Sequence, residues 1–382
     1  IVNYDLYVLK GFKKSDLLKL AENIELEFKL IDESYLKKTL LKKNVSKKEI
    51  NLIKKLSLSN FEIEIRHSRH YPLGDQIATL VGFYGKDGAQ EGLEKSYDSL
   101  LAGKDGKKQY FKNAKQEVFV QPIEIKKAVK GKDIQLTIDA TLQFYAYKYL
   151  VEGIKNNKAK AGTVVILDNE KGEVLAIASY PSYNPNNPNR KIQKNRALVD
   201  AYELGSVIKP IVLSKAIDLN LISPHEDIYI PRRLNLDDKI IVDSKNHEQL
   251  TPQEIIAVSS QIGASKIALQ LGYSNLKNNY FEYGFTKPVS LNFPSSAFGY
   301  MNIKEKVADK ELASLGYGYG ITISPFQIAS AYSVFANDGY LKDFKLLQND
   351  EDISRKVISA DSADYVLEAL RQVVKDGTGK AA

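Results

Sequence analysis

Two residues in the second half of the chain have the types and the spacing of a catalytic pair. Ser206 lies three positions before Lys209, and Pro210 follows at what the sequence indicates is the start of a helix. Residues three apart on a helix share a face, so the hydroxyl and the amine can meet. A neutral amine is one known base for activating a serine nucleophile. The spacing is therefore compatible with a serine nucleophile and a lysine base, but it is not specific, and a chance match at a helix start is the alternative.

A second polar group follows further along the chain. Ser259, Ser260 and Gln261 stand together where a helix over 252–258 is expected to break. Taken alone, the group fits a helix end with Gly263 as terminator and serines that cap the next segment. A Ser-x-amide element after a Ser-x-x-Lys element instead favours a serine acyltransferase.

The segments that must position these residues indicate a compact mixed domain. A strand is predicted over 133–138, followed by Asp139 as helix N-cap and apolar residues at helical spacing from Leu142 to Ile154. Apolar runs over 163–168 and 174–179 flank a polar turn and predict a hairpin buried on both faces.

Two predicted helix starts and a change in composition indicate the rest of the domain organisation. Residues 251–254 and 324–327 each combine an N-cap, proline and Glu or Gln at the third position, so each predicts a helix start. The first half mixes helical stretches over 14–30 and 47–56 with a strand over 61–66, and then becomes rich in glycine. We place the domain boundary at 128, with a non-catalytic module over 1–128 and a second domain over 129–382.

Composition narrows the possible functions. The 382 residues are 43% apolar, carry a net charge of +7 and contain no cysteine, so neither disulfides nor thiolate metal sites can form. The lysines are dispersed in helical segments, which indicates a solvated surface, and no nucleic-acid recognition motif is present. His67 and His70 would point to opposite faces of a strand, so no metal site is predicted. Residues 316–320 predict a tight turn that lines a cleft, since the pattern of a phosphate loop is missing.

The order of many short motifs resembles one family across almost the whole chain. Motifs of an N-terminal pedestal lie at 69–74, 80–82, 91–94 and 101–103, and motifs that lead to the active serine lie at 137–143, 178–181, 184–185 and 195–197. Together with 318–321 and 324–329, they resemble the class B penicillin-binding proteins, which are peptidoglycan D,D-transpeptidases. The short spacing between Gly82 and Glu91 is more similar to the division-type than to the elongation-type enzymes.

The resemblance implies a fold and a set of roles. The expected fold is α+β, with an elongated pedestal module and then a serine β-lactamase-like domain whose mostly antiparallel sheet lies between helical layers. Ser206 would be the nucleophile, Lys209 its base and Ser259 the proton relay. Gly205, Ser260 and Gln261 would contact the substrate, a stem peptide that ends in D-Ala-D-Ala. No cofactor is implied, and β-lactams would acylate Ser206.

Two departures from the family pattern are visible. The family normally has asparagine where this chain has Gln261, so the longer amide must shift or contact the substrate differently. The family's third motif, Lys-Thr-Gly or Lys-Ser-Gly, does not occur in the 382 residues, and the run 375–377 is no substitute for it. The expectation is a chain that stops before that motif and lacks the last strands of the sheet.

Alternatives and cellular context also follow from the resemblance. A catalytically inactive scaffold of the cell-wall machinery is the main alternative, and a β-lactamase or β-lactam sensor is the next. The sequence has no run of 18 apolar residues, which fits either a soluble protein or the loss of an N-terminal anchor. The resemblance implies an upstream anchor in the inner membrane, with the catalytic domain in the periplasm. Membrane glycosyltransferase or divisome proteins are the expected partners, and nucleic acid is not.

Overall fold

The computed structural model describes residues 2–9, 12–26, 38–58, 60–85, 87–109, 111, 123–188 and 194–381. Its internal contacts divide the chain into two compact units, Ile1–Pro72 and Leu73–Ala382. The boundary at 128 therefore stays a prediction about domain organisation. Within the described ranges, no helix is long and apolar enough to cross a membrane.

In the described part of the first unit, two helices pack with an antiparallel sheet of strand order β2-β1-β3. The elements are β1 (Val2–Leu9), α1 (Lys14–Asn23), β2 (Lys38–Lys42), α2 (Lys47–Leu56) and β3 (Phe61–His67). The strand predicted over 61–66 and the helix predicted over 47–56 are both present. The helix predicted over 14–30 is too long, because α1 ends at Asn23; of its predicted remainder, 27–30 lies outside the described residues.

The second unit begins with short elements and continues into the larger cores. In chain order, the helices and strands of the second unit up to α8 are α3 (Ala78–Val81), β4 (Tyr84–Gly85), β5 (Gly88–Ala89), α4 (Gly92–Ser96), α5 (Asp98–Leu101), β6 (Lys107–Gln109), β7 (Ile123–Lys126), α6 (Ala140–Asn156), β8 (Gly162–Asp168), β9 (Glu173–Tyr180), α7 (Arg196–Val199) and α8 (Lys209–Asp218). The remaining elements are β10 (Ile228–Tyr229), β11 (Leu234–Leu236), β12 (Lys239–Ile241), β13 (Gln249–Leu250), α9 (Pro252–Ala257), α10 (Gln261–Leu271), α11 (Tyr273–Glu282), β14 (Tyr300–Met301), α12 (Asp309–Gly316), β15 (Ile321–Thr322), α13 (Pro325–Tyr332), β16 (Tyr340–Asp343), β17 (Ile353–Lys356) and α14 (Ala360–Lys375).

The predicted hairpin and its covering helix are present. Strands β8 and β9 pair antiparallel, and Asp139 caps α6 by accepting from the Leu142 N–H at 2.8 Å. The buried Gln143 amide ties α6 to β9, since it donates to the Ile177 carbonyl at 3.0 Å and accepts from the Ile177 N–H at 2.9 Å. The prediction that both strands are buried on both faces is wrong for β8, which is partly exposed throughout.

Two further predictions from local sequence are also wrong. The segment 133–138 is not a regular strand and forms one isolated bridge, between Leu136 and Leu347. The alternative that makes Gly263 a helix terminator is wrong as well, because Gly263 lies inside α10. The other half of that alternative is confirmed, since Ser260 caps α10, so the break between the helices falls before the glycine.

The largest apolar core surrounds α8. It includes aliphatic side chains of α8, α10, α12 and α14, and it buries α8 on nearly every side. The predicted starts of α9 and α13 both form capping boxes: Thr251 with Glu254, and Ser324 with Gln327. Because α8 and α10 are held in one core, the residues at their N-termini have fixed positions relative to each other.

Candidate active site

Ser206 lies on a tight turn that leads directly into α8. Residues Gly205–Ile208 form a 3-10 turn, and the Lys209 N–H donates to the Ser206 carbonyl. Side chains three apart eclipse each other in 3-10 geometry, so Ser206 and Lys209 share a face, as predicted from the spacing. The Ser206 side chain is exposed, and its hydroxyl has no hydrogen-bond partner within the described part of the chain. A nucleophile here is thus open to a substrate.

Lys209 is buried at the start of α8 and reaches the second motif. It is 2% exposed, and its ammonium donates to the Ser259 carbonyl at 2.6 Å and to Ser259 Oγ at 3.1 Å. Burial lowers the pKa of Lys209 to about 8, because the charged form loses its hydration, and the negative charge of Asp243 partly opposes this shift.

Ser259 occupies the gap between α9 and α10 with a left-handed backbone. Its φ is 59°, a conformation that costs a residue other than glycine free energy and that is concentrated at functional sites. In this conformation, both its carbonyl and its hydroxyl lie within hydrogen-bond distance of Lys209. The geometry therefore allows Lys209 to exchange a proton with the Ser259 hydroxyl.

The two residues after Ser259 differ in their exposure to solvent. Ser260 is 2% exposed and caps α10: its hydroxyl accepts from the Gly263 N–H at 2.8 Å and donates to Asp243 Oδ2 at 2.5 Å. Its hydroxyl is therefore engaged inside the protein, and its predicted substrate contact stays a prediction. The Gln261 side chain is exposed at the first position of α10, where an amide can reach a ligand.

A glycine turn at Gly318 packs against the turn that carries Ser206. The Gly205 N–H donates to the Gly318 carbonyl at 3.4 Å, and Tyr202 bridges Ile323 through backbone bonds of 3.0 and 2.9 Å. Gly318 has φ 92°, and a Cβ there would lie 2.1 Å from the Gly205 carbonyl oxygen. The turn that carries Ser206 therefore rests directly against the backbone of Gly318.

Substitution of Gly318 tests this close approach. We expect Gly318→Ala to lower the free energy of unfolding by about 1 to 3 kcal/mol more than Gly272→Ala does, because only the former adds a collision to the strain of a positive φ. Gly272 is a matched control, since it has φ 76° and no atom within 4 Å of its added Cβ. Urea unfolding of both variants measures the difference, and equal losses would contradict the close approach.

Several site residues carry no sequence signal that could identify them. Asp243 contacts the start of α10, Tyr332 donates its hydroxyl to the Val207 carbonyl at 2.7 Å, and Glu203 accepts from the Gly320 N–H at 2.7 Å. They lie in loops or on a distant helix, with no motif around them. Within the described residues, no group of His, Asp and Glu could hold a metal ion.

Two family models match the chain and divide it between them. The "Penicillin binding protein transpeptidase domain" matches residues 162–382, and the "Penicillin-binding Protein dimerisation domain" matches residues 4–136. The first match contains Ser206, Lys209 and Ser259. Neither match covers 137–161, which includes the motif at 137–143, whereas the other motifs quoted for the resemblance lie within the two matches.

Named relatives and solved structures agree with these models. The "Probable peptidoglycan D,D-transpeptidase PbpC" of Pseudomonas aeruginosa is 34% identical over 89% of this chain and 61% of its own length. The "Peptidoglycan D,D-transpeptidase FtsI" of Buchnera aphidicola subsp. Schizaphis graminum is 30% identical over 96% and 65%, so the chain spans less than two thirds of either relative. Penicillin Binding Protein 2X from Streptococcus thermophilus shares the fold, with a TM-score of 0.80 and 20% identity over 97% of this chain and 63% of that one. The chain belongs to the penicillin-binding protein transpeptidases and, because it also matches their dimerisation domain, to their class B members.

Proposed function

We propose that this protein is a serine D,D-transpeptidase that cross-links peptidoglycan stem peptides through an acyl-enzyme on Ser206. The observation that carries the proposal is the buried amine of Lys209, which shares a face with the exposed Ser206 and contacts Ser259. A lysine whose pKa is lowered to about 8 can serve as a general base. The relatives named as D,D-transpeptidases support the choice of substrate.

The first half-reaction follows from this arrangement. Ser206 Oγ attacks the carbonyl carbon between the two terminal D-alanines, and its proton passes to the neutral Lys209 amine. Ser259 then relays a proton from the Lys209 ammonium to the nitrogen of the departing D-alanine. The C–N bond breaks, D-alanine leaves, and the rest of the stem peptide stays esterified to Ser206.

The second half-reaction transfers the acyl group. An amine of a neighbouring stem peptide attacks the ester carbonyl and loses a proton through the same relay, and Ser206 Oγ leaves and regains its proton. The Ser206 N–H supplies one donor for the oxyanion, and one such donor is typically worth ~10² to 10³ in rate. Gln261 is positioned to hydrogen-bond the substrate backbone. A β-lactam enters the first half-reaction as an analogue of D-Ala-D-Ala and stays bound as an acyl-enzyme.

The cellular setting is part of the same proposal. The protein acts on the periplasmic side of the inner membrane, held by an anchor outside residues 1–382, together with membrane glycosyltransferase or divisome proteins. The match of residues 4–136 to a dimerisation domain and the FtsI name of its relatives support this setting. The expected partners of the enzyme are thus proteins of cell division.

Covalent labelling tests the proposed function. The natural protein at full length is incubated with a fluorescent penicillin, digested, and mapped by mass spectrometry. We expect an adduct on the peptide that contains Ser206, and transfer of a donor stem peptide to an added D-amino acid. A full-length protein that forms no adduct would instead indicate an inactive scaffold. Rapid hydrolysis of the adduct without transfer would indicate a β-lactamase.

The rate of acylation is expected to depend on the ionisation of Lys209. Only the neutral amine can accept the Ser206 proton, and the pKa of Lys209 is lowered to about 8. The acylation rate constant should therefore rise as pH increases through about 8 and reach a plateau above it. Stopped-flow measurements of the acylation rate by penicillin between pH 6 and 10 check this prediction, because that range extends roughly two pH units to either side of the midpoint. A constant rate over this range would contradict a base with that pKa.

A further inference from the structure

Asp243 makes a set of contacts that the proposed mechanism does not use. It lies in the loop after β12, and its two carboxylate oxygens accept three hydrogen bonds. Oδ2 accepts from Ser260 Oγ at 2.5 Å, and Oδ1 accepts from the N–H groups of Gln261 and Ile262 at 2.6 and 3.1 Å. All three donors belong to the first turn of α10 or its cap.

These donors would otherwise lack partners inside the helix. The first N–H groups of an α-helix have no intrahelical acceptor, and a carboxylate beside them also interacts favourably with the helix dipole. Asp243 thus satisfies Gln261 and Ile262, while Ser260 is held by Asp243 on one side and the Gly263 N–H on the other. The start of α10 is therefore fixed from outside the helix.

The residue just before this fixed start is Ser259. Its left-handed backbone has to be maintained by its neighbours, because such a conformation persists only where the surroundings enforce it. The chain enters Ser259 from α9, and Asp243 holds the residues on the other side. Displacement of the Ser260 cap would move the Ser259 carbonyl and hydroxyl away from Lys209.

Asp243 also acts on Lys209 through its charge. Among the described residues, it is the charged group that raises the pKa of Lys209, against the larger effect of burial. The same carboxylate therefore contacts the second motif by hydrogen bonds and influences the first motif electrostatically. A cap with a purely structural role would need only the hydrogen bonds.

We propose that Asp243 is a positioning residue of the active site, which holds Ser259 against Lys209 by fixing Ser260 and the first turn of α10. The inference rests on the proposed function, because it assigns Asp243 a role in the acylation of Ser206. Asp243 itself does not touch the substrate in this proposal. It acts through the three donors that it binds.

Two substitutions of Asp243 separate its geometry from its charge. Asp243→Asn keeps the shape of the side chain and removes its charge. It also replaces one of the two acceptor oxygens, which bind the three donors, with an NH2 group. Asp243→Glu keeps the charge and moves it by one methylene. We expect both variants to slow penicillin acylation about 10- to 100-fold, because a small misplacement of catalytic groups has effects of this size. Only the Asn variant should shift the rising limb of the pH–rate profile to lower pH, because the charge that raises the pKa of Lys209 is lost.

Asp218→Asn is the matched control. Asp218 ends α8 and accepts from the Ser359 N–H at the cap of α14 at 2.7 Å, so it too is a carboxylate at a helix start. It lies nine residues after Lys209 on α8, roughly 14 Å along the helix. We expect this variant to lower the melting temperature, as Asp243→Asn does, and to leave the acylation rate and its pH profile unchanged.

The outcomes distinguish the two proposals. Suppose that the full-length wild type is labelled at Ser206 and that the Asp243 variants are labelled at the same rate and with the same pH profile. This result would overturn the positioning role of Asp243 and leave the proposed function intact. Equal slowing by Asp218→Asn would also overturn it, since general destabilisation would then explain the effect. If Asp243→Asn does not fold, the rate of penicillin acylation of Asp243→Glu tests the positioning role instead. A wild type without an adduct would overturn both the proposed function and this inference.

Discussion

Replacement of Ser206 by alanine is expected to abolish the penicillin adduct while the fold is retained. The adduct is an ester of the Ser206 hydroxyl, and removal of a nucleophile of this kind typically costs ~10⁶ in rate. The side chain is exposed, and its hydroxyl has no hydrogen-bond partner in the described ranges. We therefore expect the free energy of unfolding to change by only about 0.5 kcal/mol. Intact mass spectrometry and thermal unfolding of the full-length protein measure the two effects.

Ser274→Ala is the control for this substitution. Ser274 is an exposed serine of α11, and it belongs to neither of the two site motifs. Its alanine variant should form the adduct at the wild-type rate. A Ser206→Ala protein that still forms a stoichiometric adduct would show that another residue is the nucleophile. Loss of the adduct together with a large fall in melting temperature would show that Ser206 has a structural role.

Substitution of Lys209 by arginine is expected to have the second largest effect. A guanidinium stays charged throughout the accessible pH range, so it cannot accept the Ser206 proton. Loss of a general base lowers rates by ~10² to 10⁴, and we expect acylation of Lys209→Arg to fall within that range. The charge and the capacity to donate to Ser259 are kept, which separates the loss of the base from the loss of a cation. The pH dependence through about 8 should also disappear.

Lys215→Arg provides the matched control on the same helix. Lys215 pairs with Glu282 at 2.9 Å and donates to the Val357 carbonyl at 3.4 Å, and both contacts are open to arginine. This variant should be acylated at the wild-type rate with an unchanged pH profile. Wild-type acylation of Lys209→Arg would show that Lys209 is a cationic contact and that the base is a different group.

The parts of the fold that could be predicted depend on short-range interactions. The capping boxes at Thr251 and Ser324 bind partners three residues ahead, so their sequence patterns suffice to locate α9 and α13. The pairing of β8 with β9 follows from two apolar runs around one turn. In contrast, the segment 133–138 reads as a strand by its composition, but its bridge is to Leu347, a partner that no local pattern identifies.

The same distinction between short-range and long-range interactions applies to the candidate site. That Ser206 and Lys209 share a face follows from the sequence, because their spacing acts within one turn. In contrast, no local pattern predicts that the Lys209 ammonium contacts Ser259, 50 positions later, or that Gly205 packs on Gly318. The same holds for Asp243, which binds the start of α10 and acts on Lys209 with a negative charge. Such contacts arise when α8 and α10 pack into one core, and burial in that core lowers the pKa of the lysine.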